Sequence, residues 1–165
     1  MTIEQVVVRQ IFTYLDRSYL LQSSSPSIHE TAIDCFRTYI CADAALRPKI
    51  IDGACDLVQA DRMGDQSSKV MFRESVDMFH ALSIYSKDFE PRMLHLSQDY
   101  IVAWSEKECA EKDLPDYVRA AAQLIETEIT RCNAFDLDAT TRRALLTLLE
   151  HHIVERREAE LSMLR

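Results

Sequence analysis

A chain of 165 residues with 27 acidic against 19 basic side chains, a net charge of −8, is long enough for one domain with a hydrophobic core, and its charge repels phosphate backbones and anionic lipid. Only 2 glycines and 4 prolines occur, too few for an architecture of strands and turns and too few for the glycine-rich loops that cradle nucleotide phosphates. The composition predicts an all-α protein of long helices and short connections, with no direct nucleic-acid or membrane partner.

The first helix runs through "RQIFTYLDRSYLLQ", from Arg9 to Gln22. At about 100° per residue, Val8, Phe12, Leu15 and Tyr19 fall on one stripe and Val7, Ile11, Tyr14 and Leu21 on a second beside it. Together they cover about half the circumference, where an ordinary surface helix shows an apolar arc of roughly 100°. The second stripe therefore needs a second neighbour, either another helix of the same domain or a partner protein. Arg9, Thr13, Asp16 and Arg17 fill the opposite arc and face water. Asp16-Arg17 reads equally as an ion pair at the helix rim and as a partner contact.

The polar loop "SSSPS" follows, and Ser27 with Glu30 three residues on is a capping-box signature for a second helix. Its apolar stripe is Ile28, Ala32, Cys35, Phe36, Tyr39 and Ile40, ending near Ala42. A third helix runs from about Leu46, with Pro48 tolerable in its first turn, to Arg62, and Gly64 stops it. A fourth covers Ser67 to Ile84, with Val70, Met71, Phe72, Val76, Phe79, Ala81 and Leu82 as apolar positions. The fifth starts at Asp88 and fades into the charged run "SEKECAEKD", a solvated helix end. Asp113 caps the sixth, Pro115 opens it, and "NAFDLDA" breaks it. The last begins near Asp138, and its tail "ERREAELSMLR" carries Leu161 and Leu164 without a closing signal.

Five cysteines, Cys35, Cys41, Cys55, Cys109 and Cys132, are widely spaced with no CxxC pair, the usage of reduced, mostly buried thiols. No segment approaches the roughly 20 apolar residues of a membrane helix, and the start lacks the pattern of a signal peptide. A soluble, intracellular protein is expected.

No catalytic constellation emerges. His151, His152 and Glu155 put two possible ligands one turn apart, but without further histidine or cysteine the motif reads as a solvated face. Asp34, Asp52, Asp56, Asp61 and Asp65 interleave with basic residues and read as surface. No metal, cofactor or catalytic residue is expected, and the residues support a helical interaction domain.

Several segments look familiar together. "IFTYLDRSYLLQ" followed by "PSIHETAIDCFRTYI" resembles the cullin family, its cullin-4 class above all, in which an I-F-x-[FY]-L-D-R-[ST]-Y helix precedes P-S-I and an F-R-T helix. "KIIDGACDLVQADRMG" is similar to the family's next helix, "IYSKDFEPRML" to its Y-x-x-x-F-E segment, and "LPDYVRAAAQLIETEITR" to its V-P-E-Y helix. The collinear resemblance covers about Arg9 to Arg157. The family's usual aromatic after P-S-I is His29 here, and its tyrosine near the end of "FEPRMLHLSQDY" is displaced to Tyr100.

The resemblance implies a cullin-repeat helical bundle, part of an α-solenoid-like stack of five-helix repeats. Residues 1–22 would be the last helix of a first repeat, 27–157 a second repeat, and 158–165 the lead into a third. It implies a non-catalytic scaffold segment of a cullin-RING ubiquitin ligase acting in ubiquitin-dependent protein degradation, in the nucleus or the cytoplasm. The expected partners are the other ligase subunits and, for the cullin-4 type, a β-propeller adaptor, which Phe12, Leu15, Asp16 and Tyr19 would face. No segment resembles the family's RING-holding domain, so no ligase activity is expected of this chain alone. The alternatives are a free-standing cullin-like protein that competes for the adaptor, and a helical interaction module without a ligase role.

Overall fold

The computed structural model describes residues 3–20, 25–65 and 67–155. The long elements are α1 (Ile3–Leu20), α2 (Ile28–Phe36), α3 (Leu46–Arg62), α4 (Ser68–Leu82), α5 (Glu90–Glu111), α6 (Leu114–Ala134) and α7 (Ala139–Leu149). Short π-helical turns extend them: Arg37–Cys41 continues α2, Tyr85–Phe89 leads into α5, and Glu150–Glu155 continues α7. The fold is all-α as the composition predicts, and no strand occurs among the described residues. Contacts divide the chain into two compact units, Met1–Pro48 and Lys49–Arg165.

In the first unit the capping box at Ser27 closes in both directions. Its Oγ accepts the Glu30 amide at 3.1 Å, and its own amide donates to Glu30 Oε2 at 2.7 Å. These bonds satisfy two of the amides that a helix start leaves without partners. Asp43 does similar work for α3, its Oδ1 accepting the amides of Ala45 and Leu46 at 2.7 and 3.0 Å. Cys41 is the one described residue of this unit that is buried. Ile28 and Tyr39, read from the sequence as packed positions of α2, stand 44% and 74% exposed. The unit holds too few helices to cover both sides of α2.

The second unit carries an aromatic core. Phe72 lies against Phe135 with ring centroids 4.4 Å apart, and Phe89 lies 5.0 Å from Phe79 and 5.3 Å from Tyr85. Val76, Met93, Ile101, Leu145, Leu149 and Ile153 complete it. Val70 and Met71, expected on the packed face of α4, are exposed instead. The buried face is set by Phe72, Val76 and Phe79 at helical spacing, and Val70 falls on the opposite side.

Three helices end in the same way. At Gly64 (φ 97°), Ser83 (φ 60°) and Asp136 (φ 54°) the backbone turns left-handed. The next residue's amide then reaches back five positions: Asp65 to Ala60 O at 3.0 Å, Ile84 to Phe79 O at 3.0 Å and Leu137 to Cys132 O at 3.2 Å. This is the Schellman closure, which satisfies carbonyls that the helix end leaves open. Glycine occupies the first site, as the sequence suggests, and side-chain-bearing residues the other two.

Candidate interaction surface

The wide apolar arc of α1 is open. Ile11 is 53% exposed, Phe12 49%, Tyr14 72% and Leu15 51%, so the described residues of both stripes are exposed. The side chains of Val7, Val8 and Tyr19, together with Leu21 and the tail 156–165, lie outside the described residues. Asp16, at the edge of this arc, has a local task that neither reading of its sequence context foresaw. Its Oδ1 accepts the Ile28 amide at 3.0 Å, which ties α1 to the first turn of α2. A shallow groove of about 750 Å³ opens beside this bond, floored by Leu15, Pro26, Ile28 and Ala32. Among the described residues, the Asp16–Ile28 bond ties the two helices beside a groove to which both contribute apolar side chains.

The second unit contains charged chemistry that is structural. The Arg62 guanidinium donates from Nη2 to Glu128 Oε2 at 2.9 Å and from Nε to Oε1 at 3.2 Å. It also donates to Ser97 Oγ at 3.1 Å and lies 4.4 Å above the Tyr100 ring. Arg131 bonds the same Glu128 and donates to Asp61 Oδ2 at 2.6 Å, and Lys69 approaches Asp61 at 3.7 Å. This cluster joins α3, α4, α5 and α6. Asp61, read from the sequence as a surface carboxylate, is buried here at 7% exposure, because Arg131 compensates its charge. Burial disfavours the Arg131 charge, but Glu128 and Asp61 outweigh it and hold its pKa above the ordinary arginine value. Burial, aided by Glu128, raises the Tyr100 phenol. Glu128 and Arg131 stand three residues apart on α6, but nothing local in the sequence brings Arg62 and Asp61 to them from α3.

A second polar chain threads the core. Tyr85 OH meets Thr141 Oγ1 at 2.9 Å, and Thr141 donates on to Glu90 Oε1 at 2.6 Å. Tyr117 OH donates to Ile153 O at 3.1 Å and meets Ser105 Oγ at 3.0 Å, which pins the π-helical end of α7. His151 Nδ1 lies 2.9 Å from Glu155 Oε2 on an exposed face, so this motif forms a local pair. Among the described residues no group of three or more His, Cys, Asp or Glu is placed to hold a metal ion. No described helix is long and apolar enough to cross a membrane. Burial pushes the Cys55 thiol up to about 12 and Cys132 to about 11, the opposite of an activated nucleophile.

Comparison with known proteins agrees with this architecture. Residues 2–164 match the model of the cullin α-solenoid domain. The chain is 29% identical to human Cullin-4A over 152 residues, 92% of this chain and 20% of that protein. It is 26% identical to Cullin-4 of Dictyostelium discoideum over 157 residues (94% and 19%) and 25% identical to Cullin-3A of Arabidopsis thaliana over 150 residues (90% and 20%). The chain thus spans about a fifth of the length of these relatives. With the family model matched over nearly its whole length and a helical architecture to fit it, the chain belongs to the cullin family.

Proposed function

We propose that this chain serves as a scaffold segment of a cullin-type ubiquitin ligase, with the exposed face of α1 as the docking surface for an adaptor. On this reading residues 1–22 are the closing helix of one cullin repeat, 27–157 form the next, and 158–165 lead into a third. The segment performs no chemistry. It holds a bound adaptor at a fixed distance from the rest of the scaffold, because stacked helical repeats make a stiff spacer. Similarity to cullin-4 proteins favours an adaptor of the β-propeller type, and an intracellular setting, nuclear or cytoplasmic, goes with it.

The observation that carries the reading is the bare apolar arc of α1, with Phe12 and Leu15 half-exposed. Phe12, Leu15 and Tyr19 supply the contact area, and Asp16 holds the α1–α2 pair in the docking geometry. Large side chains at the centre of an interface often cost about 2 kcal/mol or more on truncation, roughly a 30-fold loss of affinity. Titration calorimetry of the chain with a β-propeller adaptor should show that loss for Phe12→Ala and for Tyr19→Ala. Unchanged affinity in both variants would overturn the site, and no binding by the unaltered chain would overturn the docking role itself.

A further inference from the structure

Asp138 stands at the N-cap of α7 with cap dihedrals, φ −56° and ψ 148°, yet its carboxylate makes no bond to the helix it begins. Two other caps in the chain show what such a position normally does. Asp113, at φ −71° and ψ 168°, accepts the Asp116 amide at 3.1 Å, and Ser27 accepts the Glu30 amide at 3.1 Å. The equivalent donor for Asp138 is the amide of Thr141, which has no carbonyl within its own helix to serve.

The missing cap has a visible cause. Asp138 Oδ1 lies 3.3 Å from His80 Nε2, in the last turn of α4. His80 is held there by stacking on Tyr85, with centroids 4.2 Å apart and planes 15° from parallel. The Asp138 amide donates to Tyr85 OH at 3.3 Å, so the backbone is anchored whichever way the carboxylate turns. Both side chains of the pair are about two-fifths exposed, which leaves room for that rotation.

We propose that the Asp138 carboxylate is a two-position switch set by the charge of His80. With His80 protonated, the carboxylate forms a charge-assisted pair with it and α7 starts uncapped. With His80 neutral, the pairing loses its ionic part, and the carboxylate turns to accept the Thr141 amide. Imidazole is the side chain whose charge changes most readily near physiological pH, which makes this pair a switch rather than a fixed bridge. Charged groups on the surrounding elements include Asp77 and Arg73 on α4, Asp88 in the π turn, Glu90 on α5, Asp136 in the turn before α7, and Arg142 on α7. Arg73 pairs with Asp136 at 3.9 Å, Glu90 takes the Thr141 hydroxyl, and Arg142 donates to Asn133 Oδ1. The switch links the end of α4 to the start of α7 and makes the first turn of α7 firmer as pH rises.

The test is NMR of the intact chain from pH 5 to 8, following the Thr141 amide and the His80 ring. The Thr141 amide should move with the midpoint of the His80 ring signals. Its hydrogen exchange, corrected for the intrinsic pH dependence, should slow about fivefold as His80 loses its proton. The Asp116 amide, already capped, should keep its protection throughout. In His80→Gln the Thr141 amide should sit at the capped position at every pH, and in Asp138→Ala at the uncapped one. A Thr141 amide that ignores the His80 titration, or one that moves identically in His80→Gln, would overturn the switch.

Discussion

Arg62 and Glu128 meet through two parallel hydrogen bonds, at 2.9 and 3.2 Å, with side chains only 2% and 1% exposed. Such a pair need not add net stability, because removing both charges from water is costly. Removing one partner is a different matter. Glu128→Ala leaves the guanidinium groups of Arg62 and Arg131 without their shared carboxylate, and should cost about 3–5 kcal/mol in urea unfolding. Replacing both residues of the pair, as Arg62→Met with Glu128→Leu, should cost less than Glu128→Ala alone. Equal losses would mean that the cluster acts through packing rather than charge.

Ser83 adopts φ 60° and ψ 33° at the end of α4, a conformation that disfavours any residue with a Cβ. Glycine would relieve that strain, about 1 kcal/mol or more, against an entropic cost in the unfolded chain of about 0.5–1 kcal/mol. Ser83→Gly should therefore stabilise by a few tenths to about 1 kcal/mol, raising Tm by about 1–4 °C. Gly64→Ala, at φ 97°, should lower it by a similar or larger step. A Tm drop in Ser83→Gly would show that the serine side chain makes a compensating contact.

The buried thiols and phenols set the alkaline limit. Cys55 and Cys132 are pushed up to about 12 and about 11, and burial also raises Tyr85. Unfolded thiols ionise near pH 8.5 and tyrosines near 10, so above these values the unfolded chain sheds protons that the folded chain keeps. Stability is then complete below about pH 8.5 and falls as pH rises through 11 to 12. Denaturation midpoints from pH 8 to 11 should show this decline, shallower in Cys55→Ala with Cys132→Ala. Ellman's reagent at neutral pH should label Cys35 and Cys109 promptly, and Cys41, Cys55 and Cys132 only after unfolding. Fast labelling of all five would contradict the burial.

Local chemistry made most of the helix boundaries legible in the sequence. The cap at Asp113, the box at Ser27 and Glu30, and the stop at Gly64 each depend on residues within five positions of one another, and each formed as read. The charge cluster was illegible for the opposite reason. Arg62 and Glu128 lie 66 residues apart, and Asp61 and Arg131 lie 70 apart, so nothing near Asp61 announces that a cation will come to it. Val70 and Met71 were misplaced because three successive apolar or aromatic positions, Val70, Met71 and Phe72, cannot all face one way on a helix. The excess apolar surface of α1 was legible in the sequence, whereas the role of Asp16 depended on a bond to Ile28 across the serine loop.

That excess surface has a consequence for the isolated chain. Ile11, Phe12, Tyr14 and Leu15 form a contiguous strip of half-exposed or more exposed apolar groups, and strips of this kind drive association in water. Sedimentation velocity should show an apparent mass that rises above the monomer as concentration increases. Phe12→Asp with Leu15→Ser should return it toward the monomer, with the helical circular dichroism unchanged, because both side chains lie outside the aromatic core. The same pair should abolish adaptor binding if one surface serves both interactions. A strictly monomeric chain at all concentrations would mean that the strip is covered in solution. In that case any protein docking on this face would have to displace whatever covers it, and binding should be slow as well as weak.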